Sequence, residues 1–323
     1  MTKWISAILK REPDWQQGRG VYFHTSFDDG VRQSLAAGIQ GLPWSSVEEY
    51  HSWKAKMIRE RFADSFRQRV SGEDFPWINM PELQEIFAKI AADGEPVLDI
   101  ASDFGMGMIP YLLGRYPDVP VCVSDMDEGT MRTLDGCLQD ELPEYHICTA
   151  SFDNNDIPIR DNTVSYVTGI HAIQSSAFHG NTGLLYTSGV EKSIAEVYRI
   201  LRPGGYFIAC EQWADCDVDL PLLYETCEAD GGLFGVFPFE QLREAVRLIL
   251  QDSWRDVFSS AGFEITAEWE SLHQLNGRAV MRFLKQYIPT DCTGTCEESS
   301  DTGLDIYMGE VLFILRKPDA AGE

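Results

Sequence analysis

The chain has 323 residues, 44% of them hydrophobic and 11% aromatic, which is ample for a packed core and excludes a disordered chain. Asp and Glu number 51 against 26 Lys and Arg, and the formal net charge of −25 disfavours nucleic acid and anionic membrane surfaces as partners. No run approaches the roughly 18 apolar residues of a membrane span, and the N-terminus lacks a small-residue cleavage site, so we expect a cytoplasmic protein. Eight cysteines in a chain of this length do not indicate a disulfide framework.

Residues 1–92 form an N-terminal extension that we expect to be a helical lid. Turn-rich segments come first, and a helical pattern then runs from about Val47 to Val70, started by a capping box of Ser46 and Glu49. A second helix begins at Pro81. The long helix is rich in basic residues, and two interpretations stay open: a solvated, salt-bridged surface, or a lid that attracts an anionic substrate. These residues are Lys54, Lys56, Arg59, Arg61, Arg67 and Arg69.

From Glu95 onward, short apolar runs alternate with amphipathic segments. The runs PVLDIA, VPVCVSD, EYHICTA, VSYVTGI and GYFIACEQ each have the length of a buried strand, and helical patterns such as SIAEVYRILR lie between them. This alternation predicts a doubly wound, mostly parallel α/β sheet with helices on both faces over residues 93–323. We expect insertions in this domain at about 174–189, 213–239 and 288–307.

Ligands of such sheets bind beyond the carboxyl ends of the strands, where the strand order reverses. The loop after the first strand runs from Asp99 to Gly107, and the second strand ends at Asp125, 20 residues beyond Gly105. This spacing favours Asp125 as a ligand of ribose hydroxyls over a role as a helix cap, for which Asp127 is better placed. The triple-glycine dinucleotide fingerprint is absent, and Asp103 would repel a pyrophosphate but tolerate a cationic, sulfonium cofactor.

Five segments in order resemble motifs of one family, the class I S-adenosylmethionine-dependent methyltransferases. VLDIASDFG is similar to the first motif, SDMDEGTM to the end of the second strand with its ribose-binding acid, and FDNNDIPIRDNTVSYV to the adenine-binding stretch. EKSIAEVYRILRPGGYFIACE resembles the helix and fifth strand, and FSSAGFEITAEWE resembles the segment before the sixth strand. The resemblance covers roughly Glu95 to Cys210, with weaker similarity to Pro318. It implies a Rossmann-like sheet of seven strands and S-adenosylmethionine as cofactor, with S-adenosylhomocysteine as product.

The resemblance also implies roles for single residues. Asp125 would hold the ribose, Met126 would pack on the adenine, and Asp153 would accept from the adenine amino group with Asn154 beside the ring edge; ordinary turn chemistry is the alternative for the last two. The remaining residues implied in cofactor binding, mostly at the methionine part, are Asp99, Ala101, Ser102, Asp103, Gly105 and Gly169.

The first motif departs from the family pattern at two positions. Ala101 and Asp103 replace glycines that let the backbone approach the cofactor closely. Alanine is tolerable where φ is negative, whereas Asp at a positive φ costs about 1 kcal/mol. A relative without catalytic activity therefore remains an alternative.

On the acceptor side, His171 follows the fourth strand and is a candidate general base, with a hydrogen bond to a loop as an equal alternative. His179 lies in a long loop that we interpret as a flap. The insertion after the fifth strand offers a pocket for the acceptor or, equally, a small satellite core. The acceptor-binding candidates are Gln174, Glu211, Trp213 and Tyr224.

We expect no metal site. No cluster of His and carboxylates at metal spacing follows the fifth strand, and Cys292 with Cys296 supplies only two of four zinc ligands. The sequence thus predicts a methyltransferase that acts on a small molecule by in-line displacement. A non-catalytic protein of this fold that binds cofactor or a partner is the first alternative, and a nicotinamide-dependent oxidoreductase is the second.

Overall fold

The structure, a computed structural model, describes residues 2–25, 27, 45–176, 188–214, 254–271, 273–276 and 305–319. The helices are α1 (Thr2–Ile8), α2 (Val47–Ser71), α3 (Pro81–Asp93), α4 (Ile109–Arg115), α5 (Glu128–Glu141), α6 (Ala172–Ser175), α7 (Gly189–Ile200) and α8 (Trp254–Ser260). The strands are β1 (Trp15–Gln17), β2 (Gly20–Tyr22), β3 (Val97–Asp99), β4 (Val121–Asp125), β5 (Ile147–Ser151), β6 (Val164–Ile170), β7 (Leu201–Ala214), β8 (Glu264–Glu270), β9 (His273–Asn276) and β10 (Asp305–Arg316). Across these ranges no helix combines the length and apolarity needed to cross a bilayer.

The ten strands of the described residues form one sheet, in the order β1-β2-β5-β4-β3-β6-β7-β10-β8, with β9 paired to β10. The strands from β2 to β7 pair in parallel, whereas β10 is antiparallel to β7, β8 and β9, and β1 is antiparallel to β2. The predicted mostly parallel α/β sheet is therefore confirmed.

The expected count of seven strands is wrong. Seven of the ten strands follow one another from β5 to β8 in the sheet order, and three others extend them. The N-terminal hairpin β1-β2 adds two strands by pairing β2 with β5, and β9 adds the third. These additions are only three or four residues long, so the side-chain pattern of a segment such as WQQ carries little sign of a strand.

The chain reverses its winding at β3. From β3 it proceeds through β4 to β5 on one side, and then returns to β6 and β7 on the other side. The carboxyl ends of β3, β4 and β6 are therefore the switch point at which ligands of such sheets bind.

Both faces of the central parallel strands β3 to β6 are buried, as the continuous apolar runs predict. Successive residues of β3 point to opposite faces, so Val97 belongs to one apolar cluster and Leu98 to the other. Helices α2 to α5 cover the face of Val97, and α1, α7 and α8 cover the face of Leu98.

Helix α2 begins and ends with the local signals expected of it. The Ser46 hydroxyl accepts from the Glu49 N–H at 3.1 Å, and the Glu49 carboxylate accepts from the Ser45 N–H at 2.8 Å. At the other end Gly72 has a φ of 75°, the left-handed cap for which glycine is favoured. The helix packs on α4 and α5 through Ile58 and Phe62, among others, and this places it beside the switch point.

Candidate functional site

The loop between β3 and α4 has the backbone of a glycine-rich loop with few glycines. Its φ angles are 50° at Ala101, 44° at Asp103, 54° at Met106 and 50° at Gly107. A negative φ at Ala101 would cost no backbone strain. Instead Ala101, Asp103 and Met106, none of them glycine, all adopt the left-handed region. Each costs roughly 1–2 kcal/mol, and such strain persists only where the surroundings impose it.

Hydrogen bonds to neighbouring strands impose that conformation. The Ser102 N–H donates to the Ser124 carbonyl at 2.8 Å, and the Ser124 N–H donates to Ser102 Oγ at 3.1 Å. The Asp99 carboxylate is buried and accepts from the hydroxyls of Ser102 and Thr168, at 2.5 Å each. Burial raises the pKa of Asp99 to about 6. Asp99 and Ser102 therefore hold the loop from beneath.

Asp125 joins the end of β4 to this loop. Its Oδ2 accepts from the Asp103 N–H at 3.1 Å, and its Oδ1 accepts from the Asp127 N–H at 3.0 Å. Burial raises its pKa to about 6, although Lys54 opposes the shift. Each carboxylate oxygen has two lone pairs, so both can still accept a hydroxyl from a ligand. Asp125 thus has the position that the spacing predicts for a ribose ligand.

Asp127 caps α5, as the sequence suggests. Its carboxylate accepts from the Thr130 N–H at 3.0 Å and from the Tyr50 hydroxyl at 3.0 Å, and His51 Nε2 lies 3.2 Å from it. Burial alone would raise the pKa of Asp127, but Lys54 and His51 hold it well below its usual value. The cap is therefore an ionised carboxylate, which a helix N-terminus favours.

Helix α2 contributes two cations to the site. Lys54 Nζ lies 3.1 Å from Asp103 Oδ1 and 3.3 Å from Asp127 Oδ2, and its side chain is 12% exposed. Arg69 Nη1 donates to the carbonyls of Gly105 and Gly107, at 3.2 and 3.3 Å. Of the two interpretations of the basic helix, the solvated surface describes residues such as Arg67, 73% exposed, whereas Lys54 and Arg69 face the acidic loop.

Lys54 and Arg69 are not among the predicted site residues, although the sequence carries a signal for them. Both lie at helical spacing in line with three buried apolar residues, so that the buried stripe of α2 has a cation at each end. The residues of this stripe are Lys54, Ile58, Phe62, Phe66 and Arg69. A charged residue on an apolar stripe requires a buried partner, and here the partners are Asp103, Asp127 and two loop carbonyls.

The N-terminal segment covers the candidate adenine side. Met126 packs against Phe27, Val47 and Tyr50, and its carbonyl accepts from the Thr25 hydroxyl at 2.8 Å.

The other adenine candidates lie near the end of β4. Asp153 accepts from the N–H of Asn155 at 2.9 Å, the turn chemistry that was its alternative interpretation, and Asn154 is half-buried. The Phe152 N–H donates to the Asp125 carbonyl at 3.1 Å, which keeps this turn beside Asp125. A Cβ at Gly169 would lie 2.7 Å from the Ala172 Cβ, so the absence of a side chain at Gly169 allows the close contact with α6.

Two acceptor-side candidates are buried and occupied by internal hydrogen bonds. Glu211 is 0% exposed and accepts from the N–H groups of Ile173 and Gln174, at 3.0 and 3.1 Å. Burial raises the pKa of Glu211 to about 8. Gln174 is also 0% exposed and exchanges two hydrogen bonds with Gln212. Both side chains fasten α6 to β7, and neither presents a surface to an acceptor.

His171 lies between β6 and α6 with a φ of 53°. Its N–H donates to the Cys210 carbonyl at 2.7 Å, and its Nε2 lies 3.4 Å from Glu310 Oε1. The side chain of Trp213 and the residues His179, Tyr224, Cys292 and Cys296 lie outside the described part, as do most of the three expected insertions.

The chemistry of the switch point is that of a cation site. The half-exposed Asp103 and the Asp125 carboxylate lie there, and Lys54 pairs with Asp103 and with the buried Asp127. Such a surface opposes a pyrophosphate and suits a nucleoside that carries positive charge. The residues present therefore fit S-adenosylmethionine, whose sulfonium and ammonium groups are both cationic, better than they fit a nicotinamide dinucleotide.

No family model matches the chain, and no curated protein matches it. Among similar solved structures, a methyltransferase from Bacillus halodurans C-125, so described in its name, has 17% identity and a TM-score of 0.44, over 72% of this chain and 99% of that one. The [4+2]-cyclase SpnF has 14% identity and a TM-score of 0.44, over 74% and 82%. Phosphoethanolamine N-methyltransferase 2 of Haemonchus contortus, solved with S-adenosyl-L-methionine, has 15% identity and a TM-score of 0.40, over 73% and 53%. Methyltransferase names recur among these structures.

Proposed function

We propose that the protein binds S-adenosylmethionine at the carboxyl ends of β3 and β4 and transfers its methyl group to a small-molecule acceptor. One observation carries the proposal: the Asp125 carboxylate accepts the N–H of Asp103 at 3.1 Å. The acid at the end of β4 and the loop after β3 thereby form one continuous polar surface, as binding of a nucleoside across the two strands requires.

When bound, S-adenosylmethionine supplies an electrophilic methyl group on a sulfonium. Asp125 would accept the ribose hydroxyls, Met126 would pack against the adenine, and Asp153 with Asn154 would meet the ring edge. The Asp103 carboxylate, half-exposed beside Lys54, is available to the ammonium group. Asp99 and Ser102 would act by positioning the loop, since their side chains are buried beneath it.

The N-terminal extension serves in this proposal as a lid. Helix α2 contacts the acidic loop through Lys54 and Arg69, and the segment before it packs on Met126. A cover held in this way would exclude water from the sulfonium and align the acceptor, which are the main tasks of a protein in methyl transfer.

The acceptor would approach from the carboxyl ends of β6 and β7. His171 lies there and remains the candidate base for an acceptor that carries a proton to lose, although its Nε2 is directed at Glu310. A small molecule is favoured over nucleic acid, because a protein with a net charge of −25 repels phosphate backbones.

One feature favours the non-catalytic alternative. Lys54 lies 3.1 Å from Asp103, so a cation of the protein itself already faces the acid that would receive the ammonium group of the cofactor. A protein that binds cofactor or a partner without turnover would keep this arrangement. Product formation across a broad panel of acceptors distinguishes the two, because cofactor binding agrees with both.

Calorimetric titration of the full chain with S-adenosylmethionine, S-adenosylhomocysteine and NADH tests the proposal. We expect dissociation constants in the micromolar range, about −8 kcal/mol, for the first two and no binding of NADH. Asp125→Ala should weaken binding by about 1.5–3 kcal/mol, the usual loss for a charged hydrogen-bond partner. The matched control is Asp64→Ala, because the Asp64 side chain lies on α2 and is 84% exposed. The proposal would be overturned if the folded protein did not bind S-adenosylmethionine, or if folded Asp125→Ala bound it with an unchanged dissociation constant.

A further inference from the structure

Three metal-binding side chains from distant parts of the chain converge beside the carboxyl end of β6, where β7 and β10 run past it. They are His171, Cys210 and Glu310, and one ligand atom of each lies within 4.8 Å of the other two. The imidazole Nε2 of His171 is 3.4 Å from Oε1 of Glu310. The sequence gives no sign of this cluster, because ligand spacing reveals a metal site only where the ligands are close together along the chain, and these three are not.

The sheet register explains the convergence. Cys210 of β7 is paired with Ile170 of β6 on one side and with Leu312 of β10 on the other. Glu310 precedes Leu312 by two residues, so it points to the same face of the sheet as Cys210. His171 directly follows Ile170, and its left-handed backbone turns the chain there while its N–H donates to the Cys210 carbonyl.

Surrounding residues orient two of these groups. Trp77 is 1% exposed, and its indole N–H donates to Oε2 of Glu310 at 3.3 Å, which leaves Oε1 directed toward His171. Such a second hydrogen bond to a carboxylate is typical of metal ligands, whose orientation and basicity it fixes. The His171 Nε2 is enclosed by protein and makes no hydrogen bond of good geometry within the described residues.

We propose that His171, Cys210 and Glu310 form a binding site for a single Zn²⁺ ion. A thiol, an imidazole and a carboxylate are all zinc ligands, whereas Mg²⁺ and Ca²⁺ prefer oxygen alone. On binding, the Cys210 thiol gives its proton to solvent and a zinc–sulfur bond forms. One thiolate and one carboxylate then neutralise the charge of the ion.

Three protein ligands leave one position of a tetrahedral ion open, which is the arrangement of catalytic zinc rather than structural zinc. The His171 and Glu310 side chains are 26% and 33% exposed, so the cluster lies near the surface, while Cys210 and the Nε2 atom of His171 are buried. The site does not depend on methyl transfer. It excludes one role, however, because an Nε2 bound to zinc cannot also accept a proton from an acceptor.

The test is titration of Zn²⁺ into the metal-stripped full chain, followed by calorimetry and by metal analysis after dialysis. We expect one ion per chain, and binding at least tenfold weaker in each of His171→Ala, Cys210→Ser and Glu310→Gln, since even changes to residues that only orient the ligands cost about 10- to 100-fold. Replacement of Zn²⁺ by Co²⁺ should give a thiolate charge-transfer band that Cys210→Ser abolishes. Circular dichroism and thermal unfolding show that each variant is folded.

Matched controls use the same residue types outside the cluster. Cys148→Ser is a buried cysteine on β5, His146→Ala is an exposed histidine, and Glu73→Gln is an exposed carboxylate. These variants should bind Zn²⁺ like the original protein. No binding at micromolar Zn²⁺, or binding that all three cluster variants retain because it occurs elsewhere in the chain, would overturn the proposal. Neither result would affect the titration with S-adenosylmethionine, so the two proposals can fail separately.

Discussion

Lys54 Nζ lies 3.1 Å from Asp103 Oδ1, and this ion pair joins the N-terminal extension to the loop after β3. The same ammonium group is 3.3 Å from Oδ2 of Asp127, at the start of α5. Burial alone would lower the pKa of Lys54, but the acids around it raise that pKa well above its usual value. One side chain of α2 therefore fastens two of the elements that form the switch point.

We predict that Lys54→Met destabilises the protein by about 3 kcal/mol, the lower range for removing one partner of a buried ion pair. The reason is that Asp127, 2% exposed, loses a cation that offsets the cost of burying its charge. Urea unfolding at pH 7 measures the change. Lys56→Met, at a position 77% exposed on the same helix, should change the free energy of unfolding by less than about 0.5 kcal/mol. Equal effects of the two variants would mean that the ion pair contributes nothing.

Arg69 provides a second prediction, about the mobility of the loop. Its guanidinium donates to the carbonyls of Gly105 and Gly107, within a segment whose backbone is strained. Arg69→Met should therefore raise hydrogen exchange of the amides from Ala101 to Met108 by about 5- to 30-fold, corresponding to one or two kcal/mol. Peptide-resolved exchange measured by mass spectrometry gives the result.

Arg67→Met is the control for that experiment, because Arg67 lies on the same helix turn but is 73% exposed and pairs with Asp64. It should leave exchange in the loop unchanged. Faster exchange spread over the whole protein in Arg69→Met would indicate global destabilisation instead of a local role.

Glu211 makes stability depend on pH. Burial raises its pKa to about 8 from an ordinary value of 4.5, so between these two pH values the native state holds a proton that the unfolded state has released. Stability must then fall as pH rises from 5 to 8, with a slope from this group of up to about 1.4 kcal/mol per pH unit. Glu211→Gln cannot titrate and should flatten the curve.

Urea unfolding at pH 5, 6, 7 and 8 measures this slope. Glu73→Gln removes an exposed carboxylate and should retain the pH dependence of the original protein. Parallel curves for the original protein and Glu211→Gln would show that Glu211 is ionised throughout, held by the N–H groups at the start of α6.

Features that depend on neighbouring residues could be predicted from the sequence. The capping box at Ser46, the start of a helix at Pro81 and the cap at Asp127 each follow from contacts within four residues, and all three are present. The buried strands follow from apolar runs, because burial on both faces of a parallel sheet requires them. The position of Asp125 beside the loop follows from the spacing within one βαβ unit.

Features that depend on distant residues could not be predicted in this way. Glu211 was expected to face the acceptor, yet its carboxylate is enclosed by α6, and only the packing of α6 on β7 determines this. The sequence left the φ of Ala101 open, and hydrogen bonds from β4 and from α2 hold the loop in the left-handed region.

The sequence by itself determined the α/β architecture and the edge of the sheet where ligands of such folds bind, because these follow from local propensity and from the periodicity of apolar residues. Only the tertiary structure decided which charges meet there. Lys54 pairs with Asp103, and Glu310 meets His171 and Cys210, through strands and helices that are far apart in the sequence. Such pairings depend on register and on burial, and neither is a property of any single segment.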